Sequence, residues 1–366
     1  MRLTWVELRD FRNHVLTRID PMPDGLIVAV GPNGEGKTNL LEGMQFLYSL
    51  ASPRASTNAP LVREGAESAY VRGEFETGQG RVLVEIEIPH SGASRVKVDR
   101  SPVRRKRDLR RRVRAVLFGP FDLPIVSGEP GKRRTFMDEA VTALWPLKES
   151  LFAGYDRTLR QRNRLLKEWD RPGEPPGLEV WDEELAAAGA AVTQVRGEAI
   201  ERLAPFASEE FKALAGYDLV TAYAPNVRAP DPAAIPAAFR AQLAERRRDE
   251  LQRRTSLVGP HRDDLELAVR DLGARAFGSH GETGAAALCL RLGLAGAVAA
   301  EIGEPPLLLI DDPFSALDPA RRDQIGERLA ARGGQVLITV ADEAHVPAAA
   351  RAVWDVAAGT VTPRAA

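Results

Sequence analysis

Eight residues near the N-terminus have the types and spacing needed to hold a phosphate group. Residues 31–38 read Gly-Pro-Asn-Gly-Glu-Gly-Lys-Thr and match every fixed position of the pattern G-x-x-x-x-G-K-[ST]. Glycines let backbone N–H groups surround a phosphate, Lys37 can reach the β- and γ-phosphates, and Thr38 can offer its hydroxyl to Mg²⁺. The pattern predicts a nucleotide-binding loop; the alternative is a glycine-rich turn before an ordinary helix.

The segments on either side fit this prediction. Residues 26–30 form an apolar run typical of a buried strand, and residues 39–48 carry apolar side chains at helical spacing. In a strand, loop and helix arrangement, the positive N-terminal end of the helix points at the bound phosphate. The predicted nucleotide contacts from this loop are Gly31, Pro32, Asn33, Gly34, Glu35, Gly36, Lys37, Thr38 and Asn39.

A pair of acids lies far downstream. Residues 307–312 read Leu-Leu-Leu-Ile-Asp-Asp, an apolar strand that ends in two carboxylates, and a polar loop to Asp318 follows. A strand of this composition is typical of a parallel sheet, whose carboxyl edge would bring Asp311 beside the phosphate loop, where it can hold Mg²⁺ through water. Asp312 is then the candidate for polarising the attacking water, and Asp312 and Lys37 are the predicted catalytic residues. A helix cap is the alternative for the two acids.

A loop at residues 277–284, Phe-Gly-Ser-His-Gly-Glu-Thr-Gly, opens a strongly helical segment. It resembles the signature loop of ABC ATPases, which binds the γ-phosphate held by a second subunit, so that a head-to-tail dimer encloses two ATP molecules. This resemblance implies an ATP-dependent homodimer, although His280 and Glu282 depart from the usual residues and a plain helix cap is the alternative. Nucleotide contacts implied by similarity to ABC and Rad50-like ATPases are Arg12, Asn13, Ser279, Gly281, Asp318 and Thr339. Thr339 occupies the strand end where transporters carry a switch histidine, so its expected contact is with the γ-phosphate.

Four more stretches, spread over the full length, resemble the RecF family in the order in which that family carries them. They are Leu-Arg-Asp-Phe-Arg-Asn at 8–13, Phe-Gly-Pro-Phe-Asp-Leu at 118–123, the segment 128–138, and Ser-Leu-Val-Gly-Pro-His-Arg-Asp-Asp-Leu at 256–265. The resemblance implies an α/β fold, a P-loop ABC-type ATPase head of the Rad50-like kind with an inserted, mostly helical second lobe. It also implies ATP and Mg²⁺ as cofactors and a weak, DNA-dependent ATPase that ends the DNA-bound state. Pro313, after the acidic pair, departs from the family pattern.

The same resemblance implies partners and a pathway. RecF proteins work with RecR and RecO in loading RecA at gaps, so the expected partners are double-stranded DNA, single/double-strand junctions, and RecR, with RecO and RecA in the pathway. The competing hypotheses are an ABC-type enzyme with another substrate, such as a transporter subunit, and a structural head that does not hydrolyse ATP. The long insertion between residues 38 and 277 and the residues at 259–265 disfavour the transporter.

Length and composition suggest two lobes. At 366 residues the chain exceeds the size at which one hydrophobic core stops growing. We expect a head formed by residues 1–124 and 255–366, and a helical lobe formed by 125–254, in which proline-rich connectors separate helical runs. The single cysteine, Cys289, excludes an intrachain disulfide. No secretory or membrane-spanning run is evident, which predicts a cytoplasmic protein without a membrane partner.

The net charge of −1 says nothing about partners, but arginines are locally concentrated. The first run spans residues 100–114, and a second lies at 246–248 and 253–254. Either run could follow a phosphate backbone, or be a solvated face with acids that pair locally. Few aromatic residues interleave these runs, so base stacking is not predicted. The predicted DNA contacts are Arg104, Arg105, Lys106, Arg107, Arg110, Arg111 and Arg112.

Overall fold

The computed structural model describes residues 1–270, 272–273, 280–314 and 319–364. Its strands are β1 Arg2–Phe11, β2 His14–Ile19, β3 Leu26–Val30, β4 Ser68–Thr77, β5 Gly80–Pro89, β6 Arg95–Val98, β7 Ser101–Pro102, β8 Ala115–Phe118, β9 Leu219–Ala224, β10 Asp264–Val269, β11 Leu272–Gly273, β12 Leu307–Asp311, β13 Val336–Val340, β14 Ala352–Ala357 and β15 Thr360–Pro363. Its helices are α1 Lys37–Ser49, α2 Lys106–Arg110, α3 Leu123–Ser127, α4 Pro130–Leu144, α5 Glu149–Glu168, α6 Leu178–Ala215, α7 Ile235–Arg253, α8 His280–Ile302 and α9 Pro319–Ala331.

The two strands predicted to carry the site lie in one mixed sheet, ordered β15-β14-β3-β13-β12-β8. Its members are parallel except β15, which pairs with β14 in the antiparallel sense. All residues of β3, β12 and β13 are buried, as expected for strands covered on both faces. Since β13 lies between β3 and β12, the carboxyl ends of all three meet at one edge.

A second, antiparallel sheet has the order β2-β1-β4-β5-β6-β7. One face of this sheet, helix α1 and one face of the mixed sheet share a hydrophobic core that includes Leu8, Leu40, Met44 and Leu309. Helix α1 is therefore fixed between two sheets, and its N-terminus is held at the carboxyl edge of β3.

The segment between β8 and β10 is mostly helical, and its long helix α6 packs closely along α8. A Cβ added to Gly293 of α8 would lie 2.7 Å from the backbone nitrogen of Ala207 in α6, so only glycine permits this approach. Strand β9 of this segment pairs with β10, and β11 completes that small sheet. The predicted lobe boundaries at residues 124 and 255 stay predictions.

One described helix, Gly281–Ile302, has the length and composition that could cross a membrane. It is a core helix here, because 72% of its most apolar stretch is buried inside the protein.

Candidate functional site

The phosphate loop connects β3 to α1 and needs glycine at two places. Gly34 has φ +89° and Gly36 has φ +115°, values that disfavour any residue with a Cβ. A Cβ on Gly36 would also lie 2.8 Å from the side-chain nitrogen of Asn13. Because α1 begins directly after Gly36, the unpaired N–H groups of its first turn point into the loop, where they favour an anion.

Lys37 is held against the loop that it serves. Its Nζ donates to the carbonyl oxygens of Gly31 at 2.6 Å and Pro32 at 2.7 Å, and its side chain is largely buried. Burial lowers the pKa of Lys37, while the nearby carboxylates of Asp311 and Asp312 oppose that shift. The ammonium group is thus held by carbonyl oxygens of the phosphate loop itself.

Thr38 and the end of β12 come together across the cleft. Thr38 Oγ1 donates to Asp311 Oδ2 at 2.8 Å, and the Thr339 hydroxyl donates to Asp311 Oδ1 at 2.7 Å. Asp312 donates its backbone N–H to Thr339 Oγ1 at 3.0 Å. Burial and the neighbouring Asp311 carboxylate raise the pKa of Asp312. The two acids and the loop predicted to work together are therefore adjacent.

The residues at this edge fit a magnesium ion. Thr38 and Asp311 present a hydroxyl and a carboxylate, the hard oxygen ligands that Mg²⁺ prefers. Within the described ranges no group of three or more His, Cys, Asp or Glu side chains could hold a metal alone. A magnesium ion held by Thr38 and Asp311 would take its remaining ligands from phosphate oxygens and water.

The cleft has a volume of about 370 Å³. Only part of its outer edge was predicted from the sequence. Asn39 Nδ2 donates to Asn13 Oδ1 at 2.8 Å, and Asn13 Nδ2 donates to the backbone oxygen of Glu35 at 3.1 Å. Arg54, which was not predicted, donates to Asn39 Oδ1 at 2.5 Å. The lining residues are Asn33, Gly34, Gly36, Lys37, Thr38, Asn39, Arg54, Pro120, Asp311, Asp312 and Thr339.

Glu42, a buried carboxylate behind these residues, was also not predicted from the sequence. Glu42 accepts two hydrogen bonds from Arg12, at 2.8 and 3.0 Å, and further bonds from Arg54 and Ser52. These donors hold the pKa of Glu42 below its usual value despite burial. Arg12 is thereby committed to Glu42, and it does not line the cleft. No local pattern marks Glu42 or Arg54, because both act through contacts distant in sequence.

His14 supports the loop from behind. It is fully buried, its Nε2 lies 3.1 Å from the Gly36 carbonyl oxygen, and its Nδ1 lies 2.8 Å from Thr17 Oγ1. Burial lowers the pKa of His14 and favours the neutral ring. A polar histidine within an apolar strand pattern is the only feature of the sequence that marks this position.

The predicted signature contacts are only partly within the described residues. Ser279 and Asp318 lie outside them, while Gly281 lies in the first turn of α8. Next to it, Glu282 Oε1 accepts a hydrogen bond from the Tyr217 hydroxyl at 2.5 Å. The contacts of Ser279, Gly281 and Asp318 with nucleotide stay predictions.

The basic run at 104–112 includes cations that pair within the protein. Arg110 donates to Glu149 Oε1 at 3.0 Å and to the Ser49 carbonyl at 2.9 Å, and Arg112 pairs with Asp99 at 3.0 Å. The half-buried members are Arg107 and Arg110. The exposed members are Arg104, Arg105, Lys106, Arg111 and Arg112.

The segment 256–265 is largely a buried junction. Asp263 is fully buried, accepts from Arg196 Nη1 at 3.1 Å and from the backbone N–H of Asn226 at 2.8 Å, and also accepts from Tyr223. His261 Nδ1 lies 2.6 Å from the Tyr155 hydroxyl. The segment therefore ties α5, α6 and β9 together.

Comparisons with known proteins agree with this geometry. The family model for the RecF/RecN/SMC N terminal domain matches residues 2–360. The DNA replication and repair protein RecF of Streptomyces avermitilis is 40% identical over 375 residues, covering 99% of each chain. That of Frankia alni is 41% identical over 363 residues, covering 95% of each chain.

Solved structures give the same result. The recombination mediator protein RecF-ATPrS in the RecFOR pathway is similar with a TM-score of 0.88 and 27% identity, covering 99% of this chain and 98% of that one. A Pyrococcus furiosus Smc head domain, with a TM-score of 0.57 and 16% identity over 99% of this chain and 96% of that one, shows the fold alone.

The fold and the cleft define an ABC-type P-loop ATPase head of the RecF/RecN/SMC class, and the predicted α/β, Rad50-like head is confirmed. Helices α4 to α7 supply the predicted mostly helical insertion. Within that class, the chain belongs to the RecF family of DNA replication and repair proteins.

Proposed function

We propose that this chain is an ATP-dependent DNA-binding recombination mediator that dimerises on ATP and hydrolyses it slowly. The observation that carries the proposal is the contact of Thr38 with Asp311. It joins the end of the phosphate loop to the end of a strand 273 residues away, as a shared magnesium and phosphate site requires. RecF-ATP is among the similar solved structures, which supports ATP as the nucleotide.

In this proposal the loop binds the phosphates and the two acids have different tasks. Backbone N–H groups of residues 34–38 and the ammonium group of Lys37 hold the β- and γ-phosphates. Thr38 and, through water, Asp311 would hold Mg²⁺, which would neutralise phosphate charge when bound. Asp312 orients the attacking water and takes its proton. Asn39 lines the cleft, Asn13 is hydrogen-bonded to Asn39 from outside the lining, and both Asn13 and Arg12 are proposed nucleotide contacts.

A second copy would complete each site. Ser279, Gly281 and Asp318 are proposed to contact the nucleotide held by the partner, in a twofold head-to-tail dimer. Thr339, for which the sequence predicts a nucleotide contact, lies beside both acids of the site. We assign the head to residues 1–124 with 255–366 and the helical lobe to 125–254.

DNA is the proposed macromolecular ligand, as duplex and at junctions between single and double strands. The exposed cations of the 104–112 run supply phosphate contacts, and hydrolysis, stimulated by DNA, ends the bound state. RecR is the proposed direct partner, with RecO and RecA in the same cytoplasmic pathway of gap repair. The names of the similar proteins, DNA replication and repair protein and recombination mediator in the RecFOR pathway, support this assignment.

The first test is the molar mass in solution by light scattering, with and without Mg-ATP. The native chain is compared with Lys37→Ala, Ser279→Arg and the control Lys167→Ala, which removes an exposed lysine of α5. We expect ATP to dimerise the native chain and the control only. A monomer under all conditions would contradict the dimer, and undiminished ATP turnover in Lys37→Ala would contradict the site.

A further inference from the structure

Thr339 lies at the centre of the carboxyl edge. It is fully buried near the end of β13, directly opposite Asp311 of β12 and opposite Ala29 of β3 in the parallel registers. Thr339 therefore lies between the strand that carries the acids and the strand that leads into the phosphate loop.

The single proton of the Thr339 hydroxyl is already donated within the protein. It donates its proton to Asp311 Oδ1 at 2.7 Å and accepts the backbone N–H of Asp312 at 3.0 Å. A hydroxyl has one proton to donate, so donation to a phosphate oxygen would require the bond to Asp311 to break. The hydrogen bond to the charged carboxylate is the stronger type, and it is formed in a buried place.

The backbone of Asp312 depends on the same hydroxyl. Asp312 has φ +48°, the left-handed region that a residue with a Cβ seldom adopts. Such a conformation persists only where its surroundings hold it. The bond from the Asp312 N–H to Thr339 is one such restraint, and it links the conformation of the second acid to the position of the first.

We propose that Thr339 is a positioning residue that holds Asp311 and Asp312 in one fixed arrangement, and is not a ligand of the γ-phosphate. This inference rests on the proposed function. Thr38 also donates to Asp311, at 2.8 Å, and it must turn its oxygen to a metal ion when one binds. Thr339 keeps Asp311 oriented during that exchange, because its own bond does not have to change.

Three variants test the role. Thr339→Val keeps the shape and removes the hydroxyl, and Thr339→Ser keeps the hydroxyl. Thr221→Val is the matched control, since Thr221 is a buried strand threonine whose hydroxyl has no hydrogen-bond partner among the described residues. Binding of fluorescent ATP and ADP analogues is titrated without metal, then Mg²⁺ is titrated at fixed nucleotide, and thermal unfolding confirms folding of each variant.

For Thr339→Val we expect apparent Mg²⁺ affinity to fall at least about tenfold, the change that follows from removing one hydrogen bond to a charged group. Metal-free affinity for ATP and ADP should stay within about twofold, because every bond between the protein and the phosphates remains. Thr339→Ser should restore Mg²⁺ affinity, and Thr221→Val should match the native chain.

Two results would overturn the inference. If Thr339→Val instead weakens metal-free ATP binding much more than ADP binding, with Mg²⁺ affinity unchanged, Thr339 is a γ-phosphate ligand. Unchanged affinities in Thr339→Val overturn the positioning role too. Failure of the native chain to bind ATP would overturn the proposed function instead.

Discussion

Thr38 Oγ1 lies 2.8 Å from Asp311 Oδ2, although the two residues are 273 positions apart in the chain. The contact exists because two buried parallel strands, β3 and β12, end at the same sheet edge with β13 between them. It places a hydroxyl and a carboxylate where one cation can bind both, directly or through water.

Asp311→Asn should lower the apparent affinity for Mg²⁺ in the presence of ATP at least about tenfold, since a neutral amide replaces the carboxylate that faces the ion. Thr38→Ala should have a similar effect, and the double variant should be no more than slightly worse, because both residues serve one ion. Mg²⁺ titrations of a bound fluorescent ATP analogue give these affinities. Fully additive effects would show that Thr38 and Asp311 act independently.

Asp312→Asn should lower ATP turnover by about a hundredfold or more, the usual effect of removing a general base, while ATP binding and ATP-dependent dimerisation persist. The pKa of Asp312 is raised above its usual value by burial and by Asp311. Turnover in the native chain should therefore fall as pH drops through that raised pKa, since the base must be ionised. Phosphate release across a pH series measures both effects. Native turnover in Asp312→Asn would exclude Asp312 as the base.

His261 should make the folded state sensitive to acid. Burial lowers the pKa of His261 to about 4, from an ordinary value of 6.5 in the unfolded chain. Between these values the unfolded chain binds a proton that the folded chain does not, so stability falls with decreasing pH, by up to about 1.4 kcal/mol per pH unit. His261→Gln should flatten this slope between pH 6.5 and 4. Urea unfolding at several pH values measures it.

His14 also has a lowered pKa, so both the native chain and His261→Gln retain a slope from that residue. Only the difference between native and His261→Gln belongs to His261. Identical slopes in the two proteins would show that burial does not keep the His261 ring neutral in the folded state.

The site was predictable where local pattern or sheet rules decide the structure. The glycines of the loop at 31–38 permit its backbone conformation. The apolar residues before Asp311 predict a buried strand in a parallel sheet. Arg54 and Glu42 could not be predicted in the same way. Their positions depend on the path of the chain after α1, which no pattern in residues 50–58 specifies.

The basic run shows the same limit. From the sequence alone, the seven cations cannot be distinguished. In the structure, Arg110 donates hydrogen bonds to Glu149 and to the Ser49 carbonyl, and Arg112 donates one to Asp99. Which arginines form such contacts depends on the groups that folding brings close to them. The structure therefore separates Arg110, which is held within the fold, from the exposed members of the run, which are the DNA-contact candidates.

Reversal of exposed charges in this run should weaken DNA binding in a salt-dependent manner. We expect Arg104→Glu, Arg105→Glu and Arg111→Glu together to lower duplex affinity and to reduce the slope of log K against log salt by about 0.9 for each DNA phosphate that the variant no longer neutralises. The control combines Arg157→Glu, Arg160→Glu and Arg228→Glu, which makes the same charge change at exposed positions elsewhere. Fluorescence anisotropy over a salt series gives both slopes.

Arg110→Ala should behave differently, because Arg110 is bound to Glu149 and to a backbone carbonyl. We expect it to lower the free energy of unfolding by about 1–3 kcal/mol while the salt slope for DNA stays near the native value. An equal fall in affinity in the triple variant and its charge-matched control would mean that only overall charge matters. The run at 104–112 would then not be the DNA contact, and the arginines at 246–248 and 253–254 would become the next surface to test.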